Sequence, residues 1–174
     1  FQSRLKKICL ISPEDKTRYD KYYTKNNSIL LPLLLSKTIM PVPYIKQPAG
    51  RVAVMVSHSG WQHNNHEHSF RMLKNIDNDS IIVFCPLCYG DPDYIKYVIS
   101  LGKSLFGDRF KYITELMPYG DYNNYLNTEI DIYVTSSQLQ TGLGASNILL
   151  RSGAKIYVGN NLYESYKHIG VQVH

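Results

Sequence analysis

From residue 51 onward, short apolar runs alternate with longer segments in which apolar side chains recur every three or four positions. Short apolar runs between polar or glycine-containing stretches are typical of buried strands, and the longer spacing is typical of amphipathic helices. The pattern predicts strands at 52–56, 80–85, 110–116, 130–135 and 155–158, and helices at 66–76, 92–106, 120–127, 143–152 and 162–169.

Strands that alternate with helices indicate βαβ units with a mostly parallel sheet. The expected fold class is therefore α/β, a Rossmann-like, mostly parallel sheet with helices on both faces. A chain of 174 residues has the length of one ordinary domain.

The first fifty residues have a different character. An apolar run at 7–11 precedes Ser12-Pro13-Glu14-Asp15, which is a helix-start signature for a helix to about residue 25. A second apolar run at 28–34 predicts a strand, and the proline- and glycine-rich residues 36–50 predict a connector. We therefore expect one domain over 1–174, with a leading segment and connector at 1–50 and a regular β/α core at 51–174.

Charge separates the same two regions. Residues 1–51 contain ten Lys/Arg against three Asp/Glu, whereas residues 52–174 contain nine against eleven. The basic leading segment suits an anionic membrane, a diphosphate ligand or a neighbouring domain, and equally a simple solvated surface. A hydrophobic fraction of 44% and a charged fraction of 19% are those of a globular protein, and exclude a disordered or collagen-like chain.

Three cysteines, two of them in Cys85-Pro-Leu-Cys88, raise the question of a redox or zinc site. The C-x-x-C pair has no second pair, and no tryptophan of the thioredoxin type precedes it. Reduced thiols are therefore favoured over a disulfide framework or a metal site.

Polar loops follow four of the predicted strands. In parallel sheets ligands bind outside the carboxyl ends of the strands, near the point where the strand order reverses. The loops at 57–65, 86–91, 117–121 and 136–144 are therefore candidate walls of a single cleft.

The stretch 57–70 leads from a predicted strand through Gly60 into a predicted helix. Free N–H groups at a helix N-terminus favour an anion, so a phosphate is a natural ligand here. Asn64 or Asn65 is expected to cap the helix. Simple caps without a ligand are an equally good explanation of these asparagines.

The same stretch contains His58, His63, His66 and His68, which suggests a metal site as a competing interpretation. On a helix His66 and His68 point to nearly opposite sides, and no standard zinc spacing is present. We therefore expect no metal and favour surface or hydrogen-bonding roles for the histidines.

Gly142 and Gly144 form a G-x-G turn just before a predicted helix. Glycines let the backbone approach a phosphate closely, but a G-x-G without a third glycine is a weak signal. The turn also follows the fourth strand of the alternating series, which disfavours an ordinary NAD site.

Several of these segments together resemble a known family over roughly residues 58–170, with a fainter likeness at 8–35. The family is glycosyltransferase family 56, the TDP-N-acetylfucosamine:lipid II N-acetylfucosaminyltransferase family. The segments that carry the likeness are Asn64-Asn65-His66, Cys85-Pro-Leu-Cys-Tyr-Gly-Asp91, Thr114-Glu-Leu-Met-Pro-Tyr119 with Tyr122, Gln140-Thr-Gly-Leu-Gly144, Asn147-Ile-Leu-Leu150 and Gly153-Ala-Lys-Ile-Tyr157.

The resemblance implies one half of a GT-B fold, namely the carboxyl-terminal half that binds the donor. It implies inverting transfer of an amino-deoxy sugar, N-acetylfucosamine-like, from a dTDP-sugar to a polyprenyl-diphosphate-linked glycan in bacterial surface polysaccharide synthesis. It further implies no metal or other cofactor, no nucleic-acid partner, and a cytoplasmic, peripheral location on the inner face of the cell membrane. A chain that binds the donor without turnover is expected, since the acceptor half is absent.

The resemblance also implies roles for particular residues. The diphosphate would be contacted by Asn64, Asn65 and His66, and the sugar would be bordered by Tyr89 and Gly90. The base would lie beside Met117, Pro118 and Tyr119. The remaining substrate-binding residues are Gln140, Gly142, Gly144 and Asn147, and no catalytic base is assigned.

Two alternatives stay open on the sequence. One is a non-catalytic α/β interaction module that docks through its basic leading segment. The other is a metal-dependent hydrolase built on the histidine cluster.

Overall fold

The computed structural model describes residues 6–10, 13–23, 27–31, 50–76, 79–137, 139, 141–168 and 170–174. Its strands are β1 (Ile8–Leu10), β2 (Ser28–Leu30), β3 (Val52–Val56), β4 (Ile81–Pro86), β5 (Phe110–Ile113), β6 (Ile132–Thr135) and β7 (Lys155–Val158). Its helices are α1 (Pro13–Tyr22), α2 (His66–Asn75), α3 (Pro92–Phe106), α4 (Tyr119–Glu129), α5 (Leu143–Ser152) and α6 (Asn160–His168).

Five strands form one sheet in the order β5-β4-β3-β6-β7. Every neighbouring pair is parallel, so all five carboxyl ends lie at one edge. The chain moves outward from β3 in one direction through β4 and β5, then in the other through β6 and β7. The reversal point between β3 and β6 is where ligands bind in sheets of this kind.

Helices cover both faces of this sheet, and each face has its own apolar core. Alternate residues of β3 show the division, because successive side chains of a strand point to opposite faces. Val54 and Val56 pack with Phe70 of α2 and Val98 of α3. Met55 packs on the other face with α4, α5 and α6. The predicted α/β, Rossmann-like fold is confirmed.

Four elements have the predicted bounds, namely β3, α3, α5 and β7. The predicted strand 110–116 ends at Ile113, because Leu116 and Met117 lie on an exposed loop and do not continue the ladder. The helix predicted at 120–127 begins at Tyr119 and ends at Glu129. The remaining core elements shift by one or two residues, which is the usual uncertainty of helix and strand ends.

The leading segment forms a small unit of its own. Strands β1 and β2 pair in parallel as a separate two-stranded sheet, with Ile8 opposite Ser28, and α1 connects them. Helix α1 also contacts α6, which brings the segment against the core. Residues 36–49 of the predicted connector and residues 32–34 of the predicted strand 28–34 lie outside the described residues. Within the described part of the chain, no helix combines the length and the apolar character that crossing a membrane requires.

Candidate functional site

Two cavities open at the carboxyl edge of the sheet. The first, here called the aromatic pocket, has a volume of about 500 Å³ and lies between the ends of β4 and β5 and the start of α5. Its lining residues are His58, Pro86, Cys88, Tyr89, Ile113, Leu116, Met117, Tyr119, Tyr122, Thr141, Gly142, Leu143, Gly144 and Ala145.

The second cavity, here called the basic pocket, has a volume of about 850 Å³ and lies beside the ends of β6 and β7. Its lining residues are Arg18, Asn65, His68, Met72, Val134, Thr135, Ser136, Ser137, Leu139, Tyr157, Val158, Gly159 and His174. No described residue lines both cavities.

Two glycines bring the β3–α2 and β4–α3 loops together. Gly60 N donates to Tyr89 O at 2.8 Å, and Asp91 N donates to Gly60 O at 3.0 Å. A Cβ at Gly60 would overlap Ile95, and one at Gly90 would overlap the Gly60 backbone. Because no larger residue fits at this crossing, the glycines fix the position of Tyr89 at the aromatic pocket.

Asn64 holds the β3–α2 loop from inside. Its side chain is fully buried, and Nδ2 donates to Ser59 O at 2.7 Å and Ser59 Oγ at 2.9 Å. The sequence placed this side chain against a diphosphate, whereas in the structure protein covers it and it lines neither cavity. The amide nitrogen is thus held by two hydrogen bonds within the loop, whereas the buried Oδ1 has no partner among the described residues.

His66 is also buried and lines neither cavity. Its ring packs against Tyr94 and Phe70, and its backbone N donates to the Tyr94 hydroxyl at 3.3 Å. Burial, with smaller contributions from His58 and His63, lowers the pKa of His66 to about 3. The ring is therefore neutral at pH 7 and lies in the core of the loop.

Asn65 lies at the N-cap position of α2 but does not cap it with its side chain. Its backbone is left-handed, with φ of 50°, whereas capping asparagines are normally extended. The prediction that Asn64 or Asn65 caps this helix through its side chain is therefore wrong. Asn65 is instead exposed and lines the basic pocket.

The helix N-terminus that faces the aromatic pocket is that of α5. Gly142 is its N-cap, with φ of 75°, and no side chain caps the helix. The N–H groups of the first turn have no acceptor inside a helix, and Leu143, Gly144 and Ala145 line the pocket. The end of α5 is therefore suited to bind an anion.

His58 lies behind this helix start. Its Nε2 is 2.8 Å from Thr141 Oγ1 and 3.3 Å from Ser59 Oγ, and its Nδ1 has no hydrogen-bond partner among the described residues. Burial, and secondarily His63, lowers the pKa of His58 to about 4. The ring is therefore neutral at pH 7 and holds the β6–α5 loop, which carries Thr141, against the β3–α2 loop.

The opposite side of the aromatic pocket offers flat apolar surface. Tyr89 is 50% exposed and Tyr119 is 75% exposed, with Met117 between them in the lining. Tyr122 lies deeper, and burial raises the pKa of its hydroxyl. No Asp, Glu, Lys or Arg is among the described lining residues. The pocket thus combines aromatic faces with uncharged hydrogen-bond donors.

The structure therefore gathers five of the predicted site residues around one cavity, namely Tyr89, Met117, Tyr119, Gly142 and Gly144. Gly90 and Pro118 adjoin it, as the bridge to Gly60 and the N-cap of α4. Asn147 lies within α5 outside the lining, and its Oδ1 has no hydrogen-bond partner among the described residues. Gln140 lies outside the described residues.

The sequence assigned no site role to Thr141 or Tyr122, although both belong to segments that carry the family resemblance, and it gave His58 only a supporting role. Thr141 directly precedes the G-x-G turn, and Tyr122 follows Tyr119 by three residues. Their closeness in sequence to predicted site residues was therefore the one feature that could have indicated them. Their contact with His58 or with the pocket depends on loops that are far apart in the chain.

Metal-binding groups do not converge in the described part of the chain, where no set of three His, Cys, Asp or Glu side chains has the geometry for an ion. His66 is buried and His68 exposed, as their spacing on a helix predicts. Cys85 and Cys88 are free thiols, and burial raises the pKa of each. Both are therefore protonated at pH 7.

Comparison with known proteins agrees with this architecture. Residues 14–165 match the family described as "4-alpha-L-fucosyltransferase glycosyl transferase group 56". Among solved structures, the chain is similar to WaaG, a glycosyltransferase involved in lipopolysaccharide biosynthesis, with a TM-score of 0.68 and 9% sequence identity. That match covers 96% of this chain and 48% of the WaaG chain, so this chain spans about half the length of that protein.

At 9% identity the likeness to WaaG shows the fold alone, which is that of one half of a GT-B glycosyltransferase. The family match is independent of it and extends over most of the sequence. The resemblance inferred from the sequence motifs is therefore confirmed, and the chain belongs to glycosyltransferase family 56.

Proposed function

We propose that this chain is the donor-binding half of an inverting glycosyltransferase and that the aromatic pocket holds the nucleotide diphosphate of the donor sugar. The observation that carries this proposal is one cavity formed by an uncapped helix N-terminus on one side and exposed aromatic rings on the other. A nucleoside diphosphate presents the matching pair of groups, an anion and a flat ring.

The phosphates are assigned to the start of α5. Backbone N–H groups of Leu143, Gly144 and Ala145, together with the partial positive charge of the helix, neutralise part of the diphosphate charge. Thr141 adds a hydroxyl at the same edge. The same donors would stabilise the diphosphate as the glycosidic bond breaks.

The base is assigned to the surface formed by Tyr89, Met117 and Tyr119. Aromatic side chains bind bases by stacking, and a thioether packs well against a ring edge. The exposure of these three side chains makes their faces accessible to the base.

The sugar of the nucleotide is proposed to be 2′-deoxyribose, as in dTDP. A ribose 2′-hydroxyl is commonly held by a carboxylate, for example in dinucleotide-binding folds. No carboxylate is among the described residues that line the aromatic pocket. Asn64 and His66, first expected at the diphosphate, are proposed to position the loop, and Asn65 lines the basic pocket. Gln140 and Asn147 remain proposed contacts.

The rest of the reaction is proposed from family membership. The transferred group is an amino-deoxy sugar such as N-acetylfucosamine, and the acceptor is a polyprenyl-diphosphate-linked glycan. We place the enzyme on the inner face of the bacterial membrane, without a metal or other cofactor. The chain described here is expected to bind the donor without turning it over.

Isothermal titration of the 174-residue chain with dTDP, dUDP and UDP tests the proposal. We expect dTDP to bind. We expect dUDP and UDP to bind with similar affinities, because no carboxylate is among the described residues that line the pocket to accept a hydrogen bond from the 2′-hydroxyl of UDP. A charged hydrogen bond contributes about 1.5–3 kcal/mol, so a carboxylate partner would make UDP more than about tenfold tighter than dUDP. That result would refute the deoxyribose assignment, and no heat with any of the three would refute nucleotide binding.

A further inference from the structure

The basic pocket lies on the other side of the β3–α2 loop from the aromatic pocket. Three parts of the chain form it: α1 supplies Arg18, α2 supplies His68 and Met72, and the ends of β6 and β7 supply the floor. Leu139 lines this cavity, whereas Thr141, two residues later, lines the aromatic pocket. The two cavities are therefore separate and open at the same edge of the sheet.

The charged and titratable side chains that line the basic pocket are Arg18, His68 and His174, and no Asp or Glu is among its described lining residues. Arg18 makes no hydrogen bond or ion pair with any described residue. By contrast, Arg71 on α2 is paired with Glu67 at 2.7 Å. The guanidinium of Arg18 is thus a cation at the cavity without a counter-charge from the described chain.

Uncharged hydrogen-bond donors lie beside Arg18 in the cavity lining. The Asn65 amide makes no hydrogen bond with the described residues, since it does not cap α2. The Ser136 hydroxyl is 2.8 Å from the Ser69 hydroxyl, which leaves it further hydrogen-bonding capacity toward the cavity. Met72 and Leu139 add apolar surface to the wall.

We propose that the basic pocket is a second ligand site, which binds a phosphate or diphosphate group separate from the nucleotide. Guanidinium matches the geometry of phosphate oxygens, and imidazole and amide donors supply the remaining hydrogen bonds. The apolar wall suits a phosphate that carries a hydrocarbon or glycosyl substituent. The site does not depend on what fills the aromatic pocket.

The test is titration of the 174-residue chain with inorganic pyrophosphate in the presence of excess dTDP, which occupies the aromatic pocket if that pocket binds nucleotide. We expect pyrophosphate to bind, and Arg18→Gln to weaken it by about tenfold or more, as loss of a charge-assisted hydrogen bond predicts. His68→Gln should weaken it less. Arg71→Gln is the matched control, an exposed arginine outside the cavity, and should leave the affinity unchanged.

A second measurement identifies the source of the phosphate. Cosedimentation with phosphatidylcholine vesicles is compared with and without a minor fraction of phosphatidic acid. Binding that requires phosphatidic acid and Arg18 would assign the site to a lipid phosphate. Pyrophosphate binding without vesicle binding would assign it to a soluble one.

Two results overturn the proposal. One is equal pyrophosphate affinity in the wild type, Arg18→Gln and Arg71→Gln. The other is an absence of both pyrophosphate and vesicle binding in the wild type. Because Arg18 is exposed, its replacement leaves the core intact, and an unchanged circular dichroism spectrum checks this. Loss of dTDP binding alone would contradict the function proposed for the aromatic pocket and would leave this site standing.

Discussion

Substitutions at two glycines at the start of α5 distinguish effects on stability from effects on ligand binding. Gly142 has φ of 75°, and a Cβ built on it would lie 2.8 Å from His58 Nδ1 and 2.8 Å from the Tyr133 hydroxyl. Gly144 stands two residues later inside the helix, and a Cβ there would meet no atom within 4 Å. Alanine at the two positions therefore has opposite effects on the fold.

The magnitudes follow from the backbone and the packing. Left-handed backbone costs an alanine about 1–2 kcal/mol, and displacing packed neighbours costs about 1–3 kcal/mol more. Alanine also restricts the unfolded chain more than glycine does, which stabilises the folded state by about 0.4–1 kcal/mol. We expect Gly142→Ala to lower the free energy of unfolding by about 1–4 kcal/mol. Gly144→Ala should raise it by about 0.5–1 kcal/mol, because alanine is the better helix former.

Urea unfolding of the two variants and the wild type, followed by circular dichroism, measures these differences. The same proteins are then titrated with dTDP. A methyl group at residue 144 points into open space at a position that lines the aromatic pocket, so Gly144→Ala should bind dTDP more weakly although it is more stable.

A Gly142→Ala variant with the same urea midpoint of unfolding as the wild type would refute this prediction, because the positive φ and the crowding by His58 would then cost no stability. A Gly144→Ala variant that binds dTDP as tightly as the wild type would move the phosphates away from the first turn of α5.

Three further predictions concern the surroundings of the site. Burial lowers the pKa of His58 to about 4, so below about pH 6.5 the unfolded chain binds a proton at this residue that the folded chain does not bind. The free energy of unfolding should therefore fall from pH 6.5 toward pH 4. Urea unfolding at several pH values measures this slope, which His58→Gln should reduce. Asn64→Ala should lower the free energy of unfolding by about 1–3 kcal/mol in the same assay, since it leaves buried loop groups unpaired. Asn65→Gly should change it by less than about 0.5 kcal/mol. Equal losses in the two variants would contradict the assigned positions of these side chains. Tyr89→Ala should weaken dTDP binding by about 1–3 kcal/mol in calorimetry with stability unchanged, and Tyr163→Ala, an exposed tyrosine on α6, is its control.

Local pattern was sufficient for most of the fold. Buried strands of a parallel sheet are apolar over their whole length, so 52–56 was recognisable as a strand without any partner. The edge strand 155–158 is less uniform, since Lys155 and Tyr157 are exposed. Helix α3 was predicted to the residue because Asp91 and Pro92 mark its start and Gly107 follows its end. The sequence failed at 114–116, which were predicted to continue the strand but form an exposed segment, with Leu116 lining the aromatic pocket.

The sequence by itself determined the strand and helix order, the family and the loops that border the aromatic pocket, because each depends on periodicity or on motifs within a few residues. Only the tertiary structure decided which polar residues line a cavity and which are buried. Asn64 and His66 are buried because the Gly60–Gly90 crossing and Tyr94 of α3 close over the loop, a contact between segments about thirty residues apart. Arg18 lines the basic pocket only because α1 contacts α6, which places it in the same cavity as residues more than a hundred positions later.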